Sequence, residues 1–494
     1  MRSRSMRVFR NFLNHADVVS GAQARDRWLS TAAWALAALF VAIYVGYTLH
    51  YSDFNNDDLD NFLAIRAHGF WSYLALPLNV HWVPLHRLLS WFVYTVAPMR
   101  FGLAVAVLTI CHVGSLFYLY ATMRLVQAGR GGLIVFCCYS SCILIMYGVV
   151  WWANAQHRLP HVLLLSAAIY HYFRYVRGGN KWHACLVIAA CLLDFGFYEK
   201  AALIPGYLVM LGICVDGRKV MQMPIRYLWI PGALLAVAVI YVLLYLCFMP
   251  LQTTAAPYSI VRGEWEFLRV LAGGLIGVLF TSPVAAQAEE AWKWWLVAIA
   301  WVAAFIASIR FAPRTFWVWI AMIICILMDY LPIAISSRIA IFGLNVPYWY
   351  RYHFETVYLV AVFAAVLLAE IRRATPARPF LQMASVWSGM LFACIYAVVQ
   401  VIALVHAHSV DLELRMYACA HDYLHNLRKG LSPIADPMTS FEDTEVPGCM
   451  SLFKFVPNTN TLLPLFVPNA RFGVREGSRY RVDSNGHVEH LTQL

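Results

Sequence analysis

Four short clusters in this chain carry residue types able to do chemistry. The first holds Asp53, Asp57, Asp58 and Asp60, four carboxylates within eight residues, soon after a long apolar run. Carboxylates held beside lipid are costly and tend to serve a function. Asp57 and Asp58 open a predicted helix, whose N-terminus favours negative charge. Like charges this close raise at least one pKa, which suits a general base. A solvated loop with helix-capping aspartates would read the same way. The sequence does not choose between Asp57 and Asp58, and Asp60 competes with both.

The second cluster is His81, Pro84, His86 and Arg87. Pro84 is placed to sit in the first turn of a helix. His86 and Arg87 would then lie at a membrane boundary, either as interfacial anchors or as ligand contacts beside the acidic loop. The third is Tyr198, Glu199 and Lys200, at a tip between two apolar legs. It reads as a local ion pair capping a helix, or as Lys200 receiving a phosphate as a point charge with Glu199 orienting it. The fourth runs through Tyr348, Tyr350, Arg351, Tyr352, His353 and Glu355, just before a long span. An aromatic belt explains it, and so does a phosphate or diphosphate clamp built on Arg351.

These clusters hang on elements that composition defines. Of 494 residues, 61% are hydrophobic and 13% charged, and mean hydropathy is +0.63. A soluble domain carries about a quarter charged residues, so a water-soluble fold is excluded. Apolar runs near the roughly 20 residues that span a bilayer recur along the chain without period-two alternation. That argues for helices rather than an outer-membrane barrel. The expected fold is an all-α polytopic membrane protein with about ten to twelve transmembrane helices and a small C-terminal α+β domain.

Residues 1–28 form a basic N-terminus that leads into a retained first span rather than a cleaved signal. Spans are expected at 29–49, 101–123, 132–151, 159–173, 182–194, 201–215, 227–249, 292–309, 315–333, 352–370 and 380–406, with 84–98 and 265–283 ambiguous. The transmembrane part thus covers 29–406, with a first extracytoplasmic loop at 50–84, and the tail 407–494 forms the separate domain. If 265–283 lies on the outer surface or re-enters, the positive-inside tendency puts the N-terminus in the cytoplasm and the tail outside. Strand-like runs in that tail include Leu452–Val456 and Arg479–Val482. The polar clusters then share the outer side.

The net charge of +11 comes from short Lys and Arg clusters between apolar runs. They mark cytoplasmic loops, and no basic face with stacking aromatics indicates nucleic-acid binding. Ten of twelve cysteines lie in apolar runs and none has metal spacing. Cys419 and Cys449 in the tail are free to pair if it faces an oxidising compartment. No Walker A loop, GxGxxG, GxSxG or HExxH motif stands in its required context.

Read in order, Asn56-Asp57-Asp58, His81-x-x-Pro84-Leu85-His86-Arg87, Trp151-Trp152 with Pro160, Phe197-Tyr198-Glu199-Lys200-Ala201 and Tyr350-Arg351-Tyr352 resemble the GT-C superfamily of membrane glycosyltransferases. The likeness covers most of the chain. It points to a bacterial branch related to the dolichyl-phosphate-mannose protein mannosyltransferases and the lipid A arabinose transferases. The tail from Val482 to Gly486 is similar to a short outer domain of that branch. The resemblance implies a multi-pass protein of the bacterial cytoplasmic (inner) membrane. Such an enzyme moves a sugar from a polyprenyl-phosphate donor to an extracytoplasmic glycan, lipid or protein. It implies Asp57 or Asp58 as base, and Lys200, Arg351 and Arg87 on the donor phosphate. His81, His86, Glu199 and Tyr352 would join the donor site, with Tyr198 and Trp152 stacking on a sugar. It names no metal ligand, and the need for a divalent metal stays open. The rival expectations are a lipid-linked glycan transporter or flippase, and a non-catalytic envelope assembly subunit.

Overall fold

The computed structural model describes residues 2–77, 81–248, 259–280, 291–375, 379–434, 439–451, 455–473 and 479–491. It is mostly helical. α1 (Arg2–Tyr51) leads into a polar segment carrying α2 (Asp57–Ala67), α3 (Phe70–Ala75) and α4 (Pro84–Val96). The core follows with α5 (Phe101–Leu125), α6 (Gly129–Ser141), α7 (Ile143–Val149), α8 (Trp152–Gly178) and α9 (Lys181–Asp194). A 3-10 turn at Glu199–Leu203 enters α10 (Ile204–Gln222), followed by α11 (Pro224–Phe248), α12 (Ile260–Leu275), α13 (Ala291–Phe311), α14 (Thr315–Ala334) and the short α15 (Ser337–Phe342). Two further 3-10 turns, Gly343–Tyr348 and Tyr350–His353, lead to α16 (Phe354–Ala374), α17 (Pro379–Val410) and α18 (Leu412–Leu431).

Eight helices among the described residues are long and apolar enough to cross a membrane, or nine if the bent pair α6–α7 makes one span. This fits a polytopic protein but falls short of ten to twelve spans. The reasons are local. α4, α9 and α12 have 13, 14 and 16 residues, below bilayer length. α8 is long enough at 27 residues, yet its first turns carry Asn154, Gln156, His157, Arg158 and His161, which lowers its apolar character. The ambiguous segment 265–283 resolves in part as the C-terminal half of α12, whose Glu264 and Glu266 are both buried. Residues 281–283 lie outside the described residues.

Burial shows which helices are central. In the span beginning at Tyr350, which contains α16, 78% of the apolar window is buried inside the protein, against 11% for α13. α16 is therefore the hub, and α13 keeps an apolar surface of the kind lipid covers. The α6–α7 break sits at Cys142, whose backbone is extended. A broken helix in an apolar setting needs its freed backbone groups satisfied. Here Tyr44 on α1 donates to the Cys142 carbonyl at 2.9 Å, and the Ile143 amide donates to Gln400 Oε1 on α17 at 2.9 Å.

The C-terminal unit is built on α18, which buries Leu414, Tyr417, Ala420, Tyr423, Leu424 and Leu427 along one helical stripe. Four short strands, β1 (Ser440–Glu442), β2 (Arg471–Gly473), β3 (Tyr480–Val482) and β4 (Val488–His490), form one sheet in the order β2-β1-β3-β4. β1 is parallel to β2 and β3, while β3 and β4 are antiparallel. Their turn needs Gly486, at φ 84° and against the Tyr423 backbone, where a Cβ would collide. The expected strand at Arg479–Val482 is thus present as β3. Of the run Leu452–Val456, residues 452–454 lie outside the described residues and Phe455 and Val456 form a bend. Cys419 and Cys449 are disulfide-bonded.

Candidate functional site

The N-terminus of α2 separates its two candidate aspartates. Asn56, just before the helix, has φ 44°, and its amide donates to the Met450 carbonyl at 2.9 Å. Asp58 is fully buried, and its Oδ2 accepts the Asn55 amide at 3.0 Å. Burial holds its carboxyl well above the ordinary range, opposed by that amide. Asp57 is only partly buried. Its pKa is also raised by burial, and Arg338, Arg351 and His81 pull it back down. Those three side chains therefore stand within electrostatic reach of Asp57. Asp60 is half-buried and raised by burial, with Arg87 opposing.

α4 fixes this segment. Arg87 donates through Nε to Leu76 O at 3.0 Å, through Nη1 to Asn61 Oδ1 at 2.7 Å and through Nη2 to Pro77 O at 2.6 Å. Asn61 passes the network to Ser90 and on to Gln156 of α8, each step 2.7 Å. Arg87 is thus committed to shaping the loop, and the structure does not bring it to the Asp57 cluster. His86 is buried and stacks on His157 with ring centroids 3.8 Å apart. Trp152 is wholly buried in the core. His157 in turn lies 5.5 Å from the His81 ring, so His86 sits one ring behind the cluster, and Trp152 lies outside it.

The Glu199–Leu203 turn and α15 supply the opposite wall. His81 Nδ1 lies 2.9 Å from Glu199 Oε1, and Arg338 Nη2 lies 3.0 Å from His81 Nε2. Arg338 Nη1 donates to Tyr352 Oη at 2.8 Å. Three guanidinium groups ring the Tyr352 phenol: Arg158 at 5.0 Å, Arg351 at 5.2 Å and Arg338 at 5.6 Å from its centroid. Arg351 is ion-paired with Glu413 of α18 and sits over Trp349 and Trp151 at 4.6 and 5.0 Å. Arg158 is ion-paired with Glu355. Among the described residues, Arg338 has no carboxylate partner.

Lys200 points elsewhere. It is buried, with its Nζ 2.6 Å from Glu355 Oε1 and 3.1 Å from Asp329 Oδ2. Asp329 also accepts from Tyr207 at 3.0 Å and Thr356 at 2.5 Å. This closed network joins α8, α14, α16 and the 3-10 turn in the middle of the fold. Tyr198 packs on it, with Lys200 at 5.8 Å and Arg158 at 5.6 Å from its ring. Lys200 is thus paired with two buried carboxylates.

Of the sequence-derived site residues, the structure gathers Asp57, His81, Glu199, Arg351 and Tyr352, with Tyr198 and Lys200 in the layer beneath. It sets Asp58, Arg87 and Trp152 apart and holds His86 one ring behind the cluster, on His157. The residues that sequence reasoning did not single out are Arg338, Asp329 and Glu413. Asp329 had a signal: a lone acid inside an apolar run is expensive unless paired. Arg338 and Glu413 had none beyond their place in polar stretches. Among the described residues, no group of three His, Cys, Asp or Glu side chains is arranged to hold a metal ion.

No protein-family model matches the chain, and no curated protein shows significant similarity to it.

Proposed function

We propose that this chain is an integral membrane glycosyltransferase that moves a sugar from a polyprenyl-phosphate carrier to an acceptor outside the cytoplasm. One juxtaposition carries the reading. Asp57 is a partly exposed carboxylate with no hydrogen bond or ion pair among the described residues, and it stands within electrostatic reach of Arg338, which among those residues has no carboxylate partner. Displacement at a sugar carbon needs both: a base for the attacking hydroxyl and a fixed positive charge on the departing phosphate. The acceptor oxygen bonds to the anomeric carbon as its proton passes to Asp57. The bond from that carbon to the phosphate oxygen breaks, and its electron pair leaves with the phosphate, held by Arg338 and Arg351. Asp58, buried and already accepting an amide, serves as the scaffold of the turn.

The Cys419–Cys449 disulfide supports an outer location for the C-terminal unit, because such bonds persist in oxidising compartments. The positive-inside distribution supports a cytoplasmic N-terminus, and the proposed setting is the bacterial inner membrane. A transporter of a lipid-linked glycan is the second reading. It is favoured by the buried charges of Arg158, Lys200, Asp329 and Glu355, since transporters carry such groups along substrate paths.

The test is extraction of lipid-linked sugars from a deletion strain carrying wild type or Asp57→Asn. An enzyme leaves one polyprenyl-phosphate sugar accumulated in both the deletion and the Asp57→Asn strain. Unchanged lipid and surface glycans would sink the proposal. Rescue by Asp57→Asn, with impaired translocation in the deletion, would favour the transporter.

A further inference from the structure

The C-terminal unit touches the site from behind at two points. At the first, the Met450 carbonyl accepts the Asn56 amide at 2.9 Å. Asn56 stands at φ 44°, a conformation a non-glycine residue keeps only where its surroundings over-determine it. The next residue is Asp57, so this contact aims the first turn of α2. At the second point, Glu413 of α18 pairs with Arg351, and Tyr417 donates to the same Glu413 oxygen. The two contacts are joined covalently. Cys419 lies on the helix that carries Glu413, and its partner Cys449 is the residue before Met450. Further fastenings follow the same path: Arg428 pairs with Asp53, and His421 Nδ1 lies 3.1 Å from the Ser52 carbonyl.

We infer that Met450 and Glu413 are positioning residues, and that the Cys419–Cys449 bond fixes where Asp57 and Arg351 stand, so that the site's geometry depends on thiol oxidation. The inference rests on reading Asp57 and Arg351 as site residues. Its physical basis is chain entropy. Without the bond, the covalent path from α18 to the segment bearing Met450 is a 30-residue stretch of chain, and closing such a loop is entropically costly. The Asn56 amide then competes with water for its acceptor. Cys419 is exposed, so a reductant reaches it. A dithiol cleaves the sulfur–sulfur bond by exchange, leaving two thiols here and becoming a disulfide itself.

The test is hydrogen exchange by mass spectrometry on the full chain in lipid nanodiscs, with and without dithiothreitol. The Cys419→Ser/Cys449→Ser double variant serves as a second route to the open state. Reduction is expected to speed exchange in peptides covering 52–62 and 349–355 by about fivefold, the factor to which one hydrogen bond's net stabilisation converts. Peptides of α5 should not change. Faster exchange confined to 439–451 would overturn the inference, because the bond would then serve only its own unit. Acceleration that includes α5 would overturn it too, since it would reflect loosening of the whole fold. Transfer is not read in this experiment, so the glycosyltransferase proposal stands or falls separately on the Asp57→Asn strain.

Discussion

Arg338 donates to Nε2 of His81 at 3.0 Å, across 257 positions of sequence. A guanidinium can only donate, so Nε2 accepts, and the ring proton sits on Nδ1, where Glu199 receives it at 2.9 Å. His81 thus bridges Arg338 and Glu199 through its two ring nitrogens.

Asp57→Asn and Asp58→Asn should separate chemistry from scaffold. Loss of a general base costs about 10²–10⁴ in rate, and Asp57→Asn is expected to fall in that range with its thermal midpoint unchanged. Asp58→Asn keeps an oxygen for the Asn55 amide and removes a buried charge, so it should retain activity. Asp58→Ala leaves that amide unmet and should lose about 1–3 kcal/mol of stability. Lipid-linked sugar turnover and thermal unfolding of the purified variants check the pair. Equal activity losses in both asparagine variants would reverse the assignment.

Arg338→Met should lower transfer by about 10²-fold or more, the size seen when one preorganised donor to a developing anion is removed. Arg338→Lys should recover only part of it, because an ammonium does not reproduce the two contacts to His81 and Tyr352. Turnover of the lipid-linked pool in complemented strains measures both.

Lys200→Met should fail by a different route. It strands Asp329 and Glu355 with less counter-charge in a buried network, a loss of about 3–5 kcal/mol when one partner of a buried pair goes. The expected result is little folded protein in membranes. Normal accumulation with selective loss of transfer would instead return Lys200 to the substrate.

The acid dependence of the proposed reaction follows from burial. Asp57 is needed ionised, and burial raises its pKa despite the three cationic or basic neighbours. Transfer should therefore fall on acidification at a pH above the ordinary carboxylate range. A pH–rate profile of transfer in membrane preparations, with a midpoint below that range, would contradict this.

Asp411 gives a separate stability signature. It caps α18 by accepting the amides of Glu413 and Leu414 at 2.8 and 3.2 Å. Burial, with Glu413 nearby, raises its pKa from the ordinary 3.8 to about 6. A raised carboxyl contributes stability that is full below its unfolded pKa and is lost as pH rises through the folded one. The thermal midpoint should thus decline as pH goes from about 4 to above 6, the interval between the ordinary and raised values. Asp411→Asn keeps the cap and should flatten that slope. Asp411→Ala should lose about 1 kcal/mol through the missing cap.

Most of the helical architecture was legible in the sequence. Apolar run length predicted α5, α11, α13, α14, α16 and α17 within a few residues, because a bilayer-length helix is specified by its own composition, while α1 starts well before its expected span and α10 runs on past its own. The polar runs marked where a site could form, and the tail cysteines were visible as a pair. The span count was less legible, since α8 hides bilayer length behind polar residues that its neighbours satisfy.

Which charges meet was not legible at all. Lys200 and Glu199 are adjacent in sequence, yet one is buried against Asp329 and Glu355 while the other bonds His81 beside Arg338. Adjacent residues on a 3-10 turn point to different sides, and their partners arrive from α14, α15, α16 and the 81–83 segment. Asp57 and Asp58 are equally alike on paper, and only packing buries one and leaves the other partly exposed within electrostatic reach of cations. The sequence by itself determined which segments form helices and which residues could ionise. The tertiary structure decided which of them are paired, because pairing depends on burial and distance between segments far apart in the chain, and local periodicity encodes neither.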